Sequence, residues 1–153
     1  MPRLHQPLLL QLLHGLTALL VPLAWLSGLV VLSQHDGRWG RLPFTVPGDW
    51  IDLHGSAGVV LIPVALLFGA YALGPGRWRL GHWGNALPLL ALALALGSGK
   101  AMQEEWLRQG QLHHLAYSLH LLGWLLLALA VAVHLVTLLR RGGWPLLASM
   151  LQR

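Results

Sequence analysis

Residues 120–134 read HLLGWLLLALAVAVH, with a histidine at each end and no other ionisable side chain between them. An α-helix advances about 1.5 Å and turns about 100° per residue, so His120 and His134 share one helix face about 21 Å apart. An imidazole in an apolar environment is costly unless its polar atoms find partners. The stretch therefore predicts a long apolar helix that carries two partnered imidazoles at two different depths.

The composition identifies the environment of that helix. The chain has 153 residues, of which 56% are hydrophobic and only 10% are charged, and its mean hydropathy is +0.61. Soluble domains carry about a quarter charged residues, so this is the composition of a membrane protein. Its ten basic residues lie in short gaps between apolar runs rather than in a stripe, which argues against nucleic-acid binding. The absence of cysteine excludes disulfides, thiolate metal sites and covalent c-type haem attachment.

Four apolar segments are each close to or above the roughly 20 residues that a helix needs to cross the hydrocarbon. They cover residues 7–32, 51–73, 85–102 and 112–139, and the third is the shortest. The stretches between them contain the Gly, Pro and charged residues typical of loops. Asp49 and Asp52 are suited to the N-cap and first turn of the second helix. We therefore predict an all-α integral membrane protein, a four-helix bundle that forms one domain over residues 1–153.

The distribution of basic residues predicts the orientation. With a cytoplasmic N-terminus, the inner side holds six of them and the outer side four. The inner ones are Arg3, Arg77, Arg79, Arg140, Arg141 and Arg153, and the outer ones are Arg38, Arg41, Lys100 and Arg108. We expect both termini to be cytoplasmic. One interpretation of residues 144–153, WPLLASMLQR, is a tail that lies along the inner membrane interface.

This orientation assigns four histidines to two depths. His14, near the inner start of the first span, matches His134, near the inner end of the fourth. His54, at the outer start of the second span, matches His120, about two turns below the outer start of the fourth. Two imidazoles facing each other across a bundle supply the two axial ligands of a haem iron. Zinc takes about four ligands around one ion, and these pairs are too far apart to share one.

A simpler interpretation remains open, because polar residues in membrane spans often only join helices through hydrogen bonds. Four histidines matched at two levels favour haem over this alternative. Glycines near the histidines would let a porphyrin approach the backbone, although ordinary helix packing explains small residues equally well. These glycines are Gly15, Gly28, Gly58 and Gly123.

Three motifs resemble the prokaryotic cytochrome b561 family of small four-helix dihaem membrane proteins. The first is HLLGWLLLALAVAVHLV at 120–136, similar to the family's last helix, with a glycine three residues and a second histidine fourteen residues after the first. The others are LHGSAG at 53–58 and LLHGLTALL at 12–20, which resemble the family's second-helix and first-helix histidine motifs. The third span matches the family only loosely.

The resemblance implies two non-covalent haem b groups, with His14 and His134 as iron ligands of the inner haem and His54 and His120 of the outer one. It also implies electron transfer between a quinone pool, such as ubiquinone, and a redox partner protein, in a bacterial plasma membrane or, alternatively, a thylakoid. One branch of the family oxidises superoxide with quinone as acceptor, which is a second interpretation. A third is a haem-bearing membrane anchor for a soluble redox enzyme. A homodimer is left open.

The remaining candidates are less directly supported by the sequence. Lys100, the only lysine, is the best candidate to contact a quinone oxygen or an anion, although a lysine extending to lipid headgroups is the more frequent case. His82 is the substitute for His14 at the inner level, and His113 and His114 have the same ambiguity at the outer level. We expect His82, His113 and His114 at the water boundary. His5 and His35 are predicted to be loop residues.

Overall fold

The computed structural model describes residues 7–36, 40–105, 111–141 and 143. Within these ranges the chain is helical and contains no strand, so the all-α prediction is confirmed. Its four α-helices are α1 (Leu8–Val31), α2 (Trp50–Leu73), α3 (Trp83–Ala101) and α4 (Gln111–Arg141). A π-helical turn, Leu32–Asp36, continues α1, and a 3-10 turn, Arg77–Gly81, precedes α3.

The helices begin and end within two residues of the predicted spans. Three of them are long and apolar enough to cross a membrane: α1 with its π-helical extension, α2 and α4. α3, with 19 residues, is not among these, since Asn85, Pro88 and Lys100 lower its mean hydropathy. Among the described helices, the sequence is therefore least typical of a membrane span in α3, the shortest.

The helices associate as two hairpins, because α1 packs mainly on α2 and α3 mainly on α4. One tryptophan pair joins the hairpins directly. The rings of Trp25 in α1 and Trp124 in α4 stack at 4.4 Å with an angle of 6°. Each indole Nε1 donates to the backbone carbonyl oxygen of the other tryptophan, at 3.1 Å in both directions. Stacking and hydrogen bonding thus act together at one contact between α1 and α4.

An apolar layer occupies the middle of the molecule. Its centre is Leu61, 2% exposed, packed with Leu92 of α3 and Leu127 of α4. Leu127 lies midway along the chain between His120 and His134, and Leu61 follows His54 by seven residues, or about two helical turns. The histidines of α4 therefore lie on opposite sides of this apolar layer.

Local contacts define the helix ends. The side chain of Asp49 accepts from the backbone N–H of Asp52 at 3.1 Å, so the predicted cap of α2 is confirmed. Tyr117 in α4 donates its hydroxyl hydrogen to Asp36, which ties the π-helical turn to α4. Several predicted features lie outside the described residues: His5, Arg3, Arg38, Arg108, Arg153 and the whole tail at 144–153.

Candidate functional site

The two histidines predicted for the inner level lie together. The rings of His14 in α1 and His134 in α4 have centroids 6.2 Å apart and an interplanar angle of 42°. His134 Nδ1 lies 2.8 Å from the carbonyl oxygen of Gly84 in α3. Phe68 in α2 packs edge-on against His14, with 6.3 Å between the centroids. All four helices thus contribute to this level.

The two histidines predicted for the outer level also lie together. The ring centroids of His54 in α2 and His120 in α4 are 5.9 Å apart, with an interplanar angle of 73°. His54 Nδ1 is 2.9 Å from the carbonyl oxygen of Ala24 in α1. His120 Nδ1 is 2.9 Å from the carbonyl oxygen of Ala95 in α3. Each outer ring is therefore anchored to the partner helix of its own hairpin.

These hydrogen bonds define the tautomer of three histidines. A carbonyl oxygen only accepts, so Nδ1 must carry the hydrogen in His54, His120 and His134. In a neutral imidazole the lone pair is then on Nε2, the atom available to a metal. The sequence predicted that the imidazoles have partners, but not that backbone carbonyl groups are those partners.

The distance between the rings fits two axial ligands of one metal. Imidazole nitrogens bind metals at about 2 Å. A five-membered ring with bonds of about 1.35 Å has its atoms about 1.15 Å from its centre, so two trans imidazoles have centroids about 6.3 Å apart. The observed separations are 6.2 Å and 5.9 Å. Both pairs thus have the spacing of a bis-imidazole haem, one above and one below the apolar layer.

One arrangement occurs twice at the outer level. Both α1 and α3 contain the pattern Ala-x-x-Ser-Gly, at residues 24–28 and 95–99. In each copy the alanine carbonyl oxygen accepts a hydrogen bond from a histidine of the adjacent helix. The buried serine places its hydroxyl oxygen 3.2 Å (Ser27 to His54) or 3.4 Å (Ser98 to His120) from the same Nδ1. The two hairpins therefore present their outer histidines in the same way.

The glycine of each pattern gives the histidine ring its space. A Cβ added to Gly28 would lie 3.0 Å from His54 Cε1, and one added to Gly99 would lie 3.0 Å from His120 Cε1. Real carbon contacts are about 3.5–4.0 Å, so both positions require glycine for the observed ring placement. Gly28 was among the glycines singled out from the sequence, whereas Gly99 was not.

Two cavities flank the outer pair, and both are lined by His54 and His120. The first, of about 350 Å³, is lined mainly by apolar side chains, together with Lys100 and Gln103 at the C-terminal end of α3. The second, of about 410 Å³, includes polar residues from the end of α1 and the start of α4. These polar residues are His35, Asp36, His113, His114 and Tyr117. The outer pair thus lies between an apolar cavity and a second cavity whose lining is more polar.

The other predicted candidates have different surroundings. Lys100 is half-exposed and forms an ion pair with Glu104 one turn later. His82 is exposed at the start of α3. His113 and His114 lie in the first turn of α4. His35 was predicted to be a loop residue, but it lies in the π-helical turn and lines the second cavity.

The remaining glycines have no demonstrated part in the site. Added Cβ atoms on Gly15 and Gly58 would meet no atom within 4 Å, whereas one on Gly123 would lie 2.9 Å from the backbone of Ala95. Gly123 thus serves the close packing of α3 on α4, the alternative that its sequence context had left open. Within the described ranges, no three His, Asp or Glu side chains are grouped to hold a bare metal ion.

The two serines and the three carbonyl groups that contact the histidines were not predicted from the sequence. The repeated Ala-x-x-Ser-Gly pattern was the available signal for Ser27 and Ser98. Comparison of the chain with protein-family models, curated proteins and solved structures finds no match.

Proposed function

We propose that the chain is a dihaem b-type cytochrome, a four-helix membrane bundle in which His14 with His134 and His54 with His120 are the axial ligands of two haem b groups. The observation that carries the proposal is the pair of imidazole separations, 6.2 Å and 5.9 Å, at two depths on α4. A porphyrin iron with two imidazole ligands explains both pairs at once. Hydrogen-bonded histidines that only join helices would not require this spacing twice.

The chain's own residues would then bind the haems, orient the histidine ligands and separate the two haems by an apolar layer. Carbonyl groups of Ala24, Ala95 and Gly84 fix the ring orientation and increase the basicity of the coordinating nitrogen. The apolar layer around Leu61 and Leu127 keeps water out of the region between the two levels. Haem, when bound, supplies reversible one-electron chemistry. Two such groups in a helical, low-dielectric bundle let an electron cross without a bare charge entering lipid.

We further propose that the protein transfers electrons between a quinone, such as ubiquinone, and a redox partner, in a bacterial plasma membrane with both termini cytoplasmic. The motif resemblance supports this role, with a thylakoid membrane as the alternative. The superoxide oxidase alternative would benefit from positive charge that attracts the anion. The Lys100–Glu104 ion pair reduces that charge at the best candidate position and so favours electron transfer. The membrane-anchor alternative needs a partner protein.

Ligand variants test the haem assignment. His14→Ala and His134→Ala should lose the same spectral component, and His54→Ala and His120→Ala the other. A double variant within one class should lose no more haem than its single variants. His82→Ala, an exposed histidine, is the matched control and should retain both haems. If His82→Ala lost the component that His14→Ala retained, the inner ligand assignment would be wrong.

Reductants discriminate among the three functions. We expect a quinol analogue to reduce the purified, haem-loaded protein without any partner. Rapid reduction by superoxide with quinone as final acceptor would instead support the superoxide oxidase. An anchor subunit would be reduced by neither and would require its partner enzyme.

A further inference from the structure

His14 differs from the other three proposed ligands in how its ring is held. His54, His120 and His134 each have a backbone carbonyl oxygen within 2.9 Å of Nδ1. Among the described residues, the ring of His14 makes no such hydrogen bond, and its partners are the rings of Phe68 and His134. The inner pair is therefore held by one carbonyl group and the outer pair by two.

Phe68 occupies the place on α2 that a histidine occupies on α4. It follows His54 by fourteen residues, as His134 follows His120. The two helices thus match at the outer level and differ at the inner level, where α2 presents a phenyl ring. This ring meets His14 at an interplanar angle of 76°. A phenyl ring can fix the direction of an imidazole by packing, but it lacks the acceptor that a carbonyl oxygen provides.

This difference changes the strength of the ligands. A ligating histidine that donates its other N–H to an acceptor is a more basic ligand. A more basic axial ligand stabilises ferric over ferrous iron and so lowers the reduction potential. At the outer level both rings have this support, and the hydroxyl groups of Ser27 and Ser98 lie beside the same nitrogens. The ligands therefore favour a higher potential at the inner level.

The charges at the two ends of the bundle act in the same direction. Ferric haem carries one positive charge more than ferrous haem, so negative charge stabilises the ferric form and positive charge the ferrous form. All the acidic residues lie at the end that carries the outer pair: Asp36, Asp49, Asp52, Glu104 and Glu105. The described basic residues at that end are Arg41 and Lys100, and those at the inner end are Arg77, Arg79, Arg140 and Arg141.

We propose that Phe68 is a positioning residue that fixes the His14 ring without making it a more basic ligand, so that the inner haem has the higher reduction potential. One electron then passes spontaneously from the outer haem to the inner. The outer iron is oxidised from ferrous to ferric as the inner iron is reduced from ferric to ferrous. This inference rests on the proposed function and deepens it by assigning the direction of electron transfer through the apolar layer.

The first test is the order of the two potentials. The haem-loaded protein is titrated optically against potential, and the outer component is identified as the one lost in His54→Ala. We expect the equilibrium of electron exchange to favour the inner haem about tenfold or more, which is about 59 mV for a one-electron couple. Equal potentials, or the reverse order, would overturn the inference.

The second test changes residue 68. Phe68→Gln offers His14 an amide oxygen as acceptor, whereas Phe68→Leu offers none. We expect Phe68→Gln to lower the inner potential relative to Phe68→Leu by about fivefold in the same equilibrium, as a hydrogen bond of about 1 kcal/mol implies. In both variants the electron paramagnetic resonance spectrum of the inner haem, which reports the angle between the imidazole planes, should change. The His14 ring would no longer be fixed at 42° to that of His134.

Leu67→Gln is the matched control, because it places the same amide on the neighbouring, exposed residue of α2 and should leave both potentials unchanged. The outer haem reports in every variant whether the bundle has folded. Equal inner potentials for Phe68→Gln and Phe68→Leu would overturn the inference, as would an unchanged inner spectrum in Phe68→Leu. In both cases the proposed function would stand, whereas a chain that binds no haem would overturn both.

Discussion

Replacement of Gly99 by alanine should disturb the outer level alone. The new Cβ would lie 3.0 Å from His120 Cε1 and 3.2 Å from Nδ1. Because carbon contacts are normally about 3.5–4.0 Å, the ring must move by about half an ångström or more. The ring is held by the 2.9 Å hydrogen bond to Ala95, so this movement strains the bond that orients the imidazole.

The size of the effect follows from the packing. Overfilling a well-packed site costs about 1–3 kcal/mol, which corresponds to about 5- to 150-fold weaker binding of a group that requires the original ring position. The inner pair should be unaffected, since His134 is about 21 Å from His120 along α4. Titration of the apoprotein with haem, with the outer and inner components resolved spectrally, measures both affinities.

Gly97→Ala is the matched control. Gly97 lies on the same helix two residues earlier, is exposed, and would place its Cβ within 4 Å of no atom. Both substitutions gain up to about 1 kcal/mol of helix propensity, so this contribution cancels in the comparison. Equal outer haem affinities for Gly99→Ala and Gly97→Ala would refute the reasoning, because the ring position would then not matter.

Three further substitutions test separate contacts. Ser27→Ala removes the hydroxyl 3.2 Å from His54 Nδ1, so the His54 imidazole becomes a less basic ligand. In a redox titration the reduction potential of the outer haem should therefore rise by about 20 mV, or about 0.5 kcal/mol, while that of the inner haem stays unchanged. Trp25→Phe loses one of the two indole hydrogen bonds with Trp124 and part of the stacking, and should lower the free energy of unfolding by about 1–2 kcal/mol in denaturant. Asp49→Ala should lower it by about 1 kcal/mol, whereas Asp49→Asn should retain most of the cap; equal losses would contradict the capping role.

The helices could be predicted closely because long apolar runs interrupted by Gly, Pro and charge are the strongest signal in a membrane sequence. The histidine pairs could be predicted because a helix translates sequence spacing into depth and direction. Both inferences use only the geometry of single helices.

The groups that hold the rings could not be predicted in the same way. Every residue has a carbonyl group, and only the packing of α3 on α4 decides that Ala95 and Gly84 face His120 and His134. Helix packing also determines the role of Gly123, which contacts the backbone of Ala95. The π-helical turn after α1 brings His35 to the second cavity, and hydropathy carries no information about such a turn.

The number of haems per chain tests the central claim most directly. The detergent-purified protein, after expression with sufficient haem, is titrated optically against potential while its haem and protein contents are measured. The account predicts two haem b per chain and two redox components, both with the spectra of low-spin iron bound by two imidazoles. A chain without a b-type spectrum, or with a single haem that both His120→Ala and His134→Ala abolish, would contradict it.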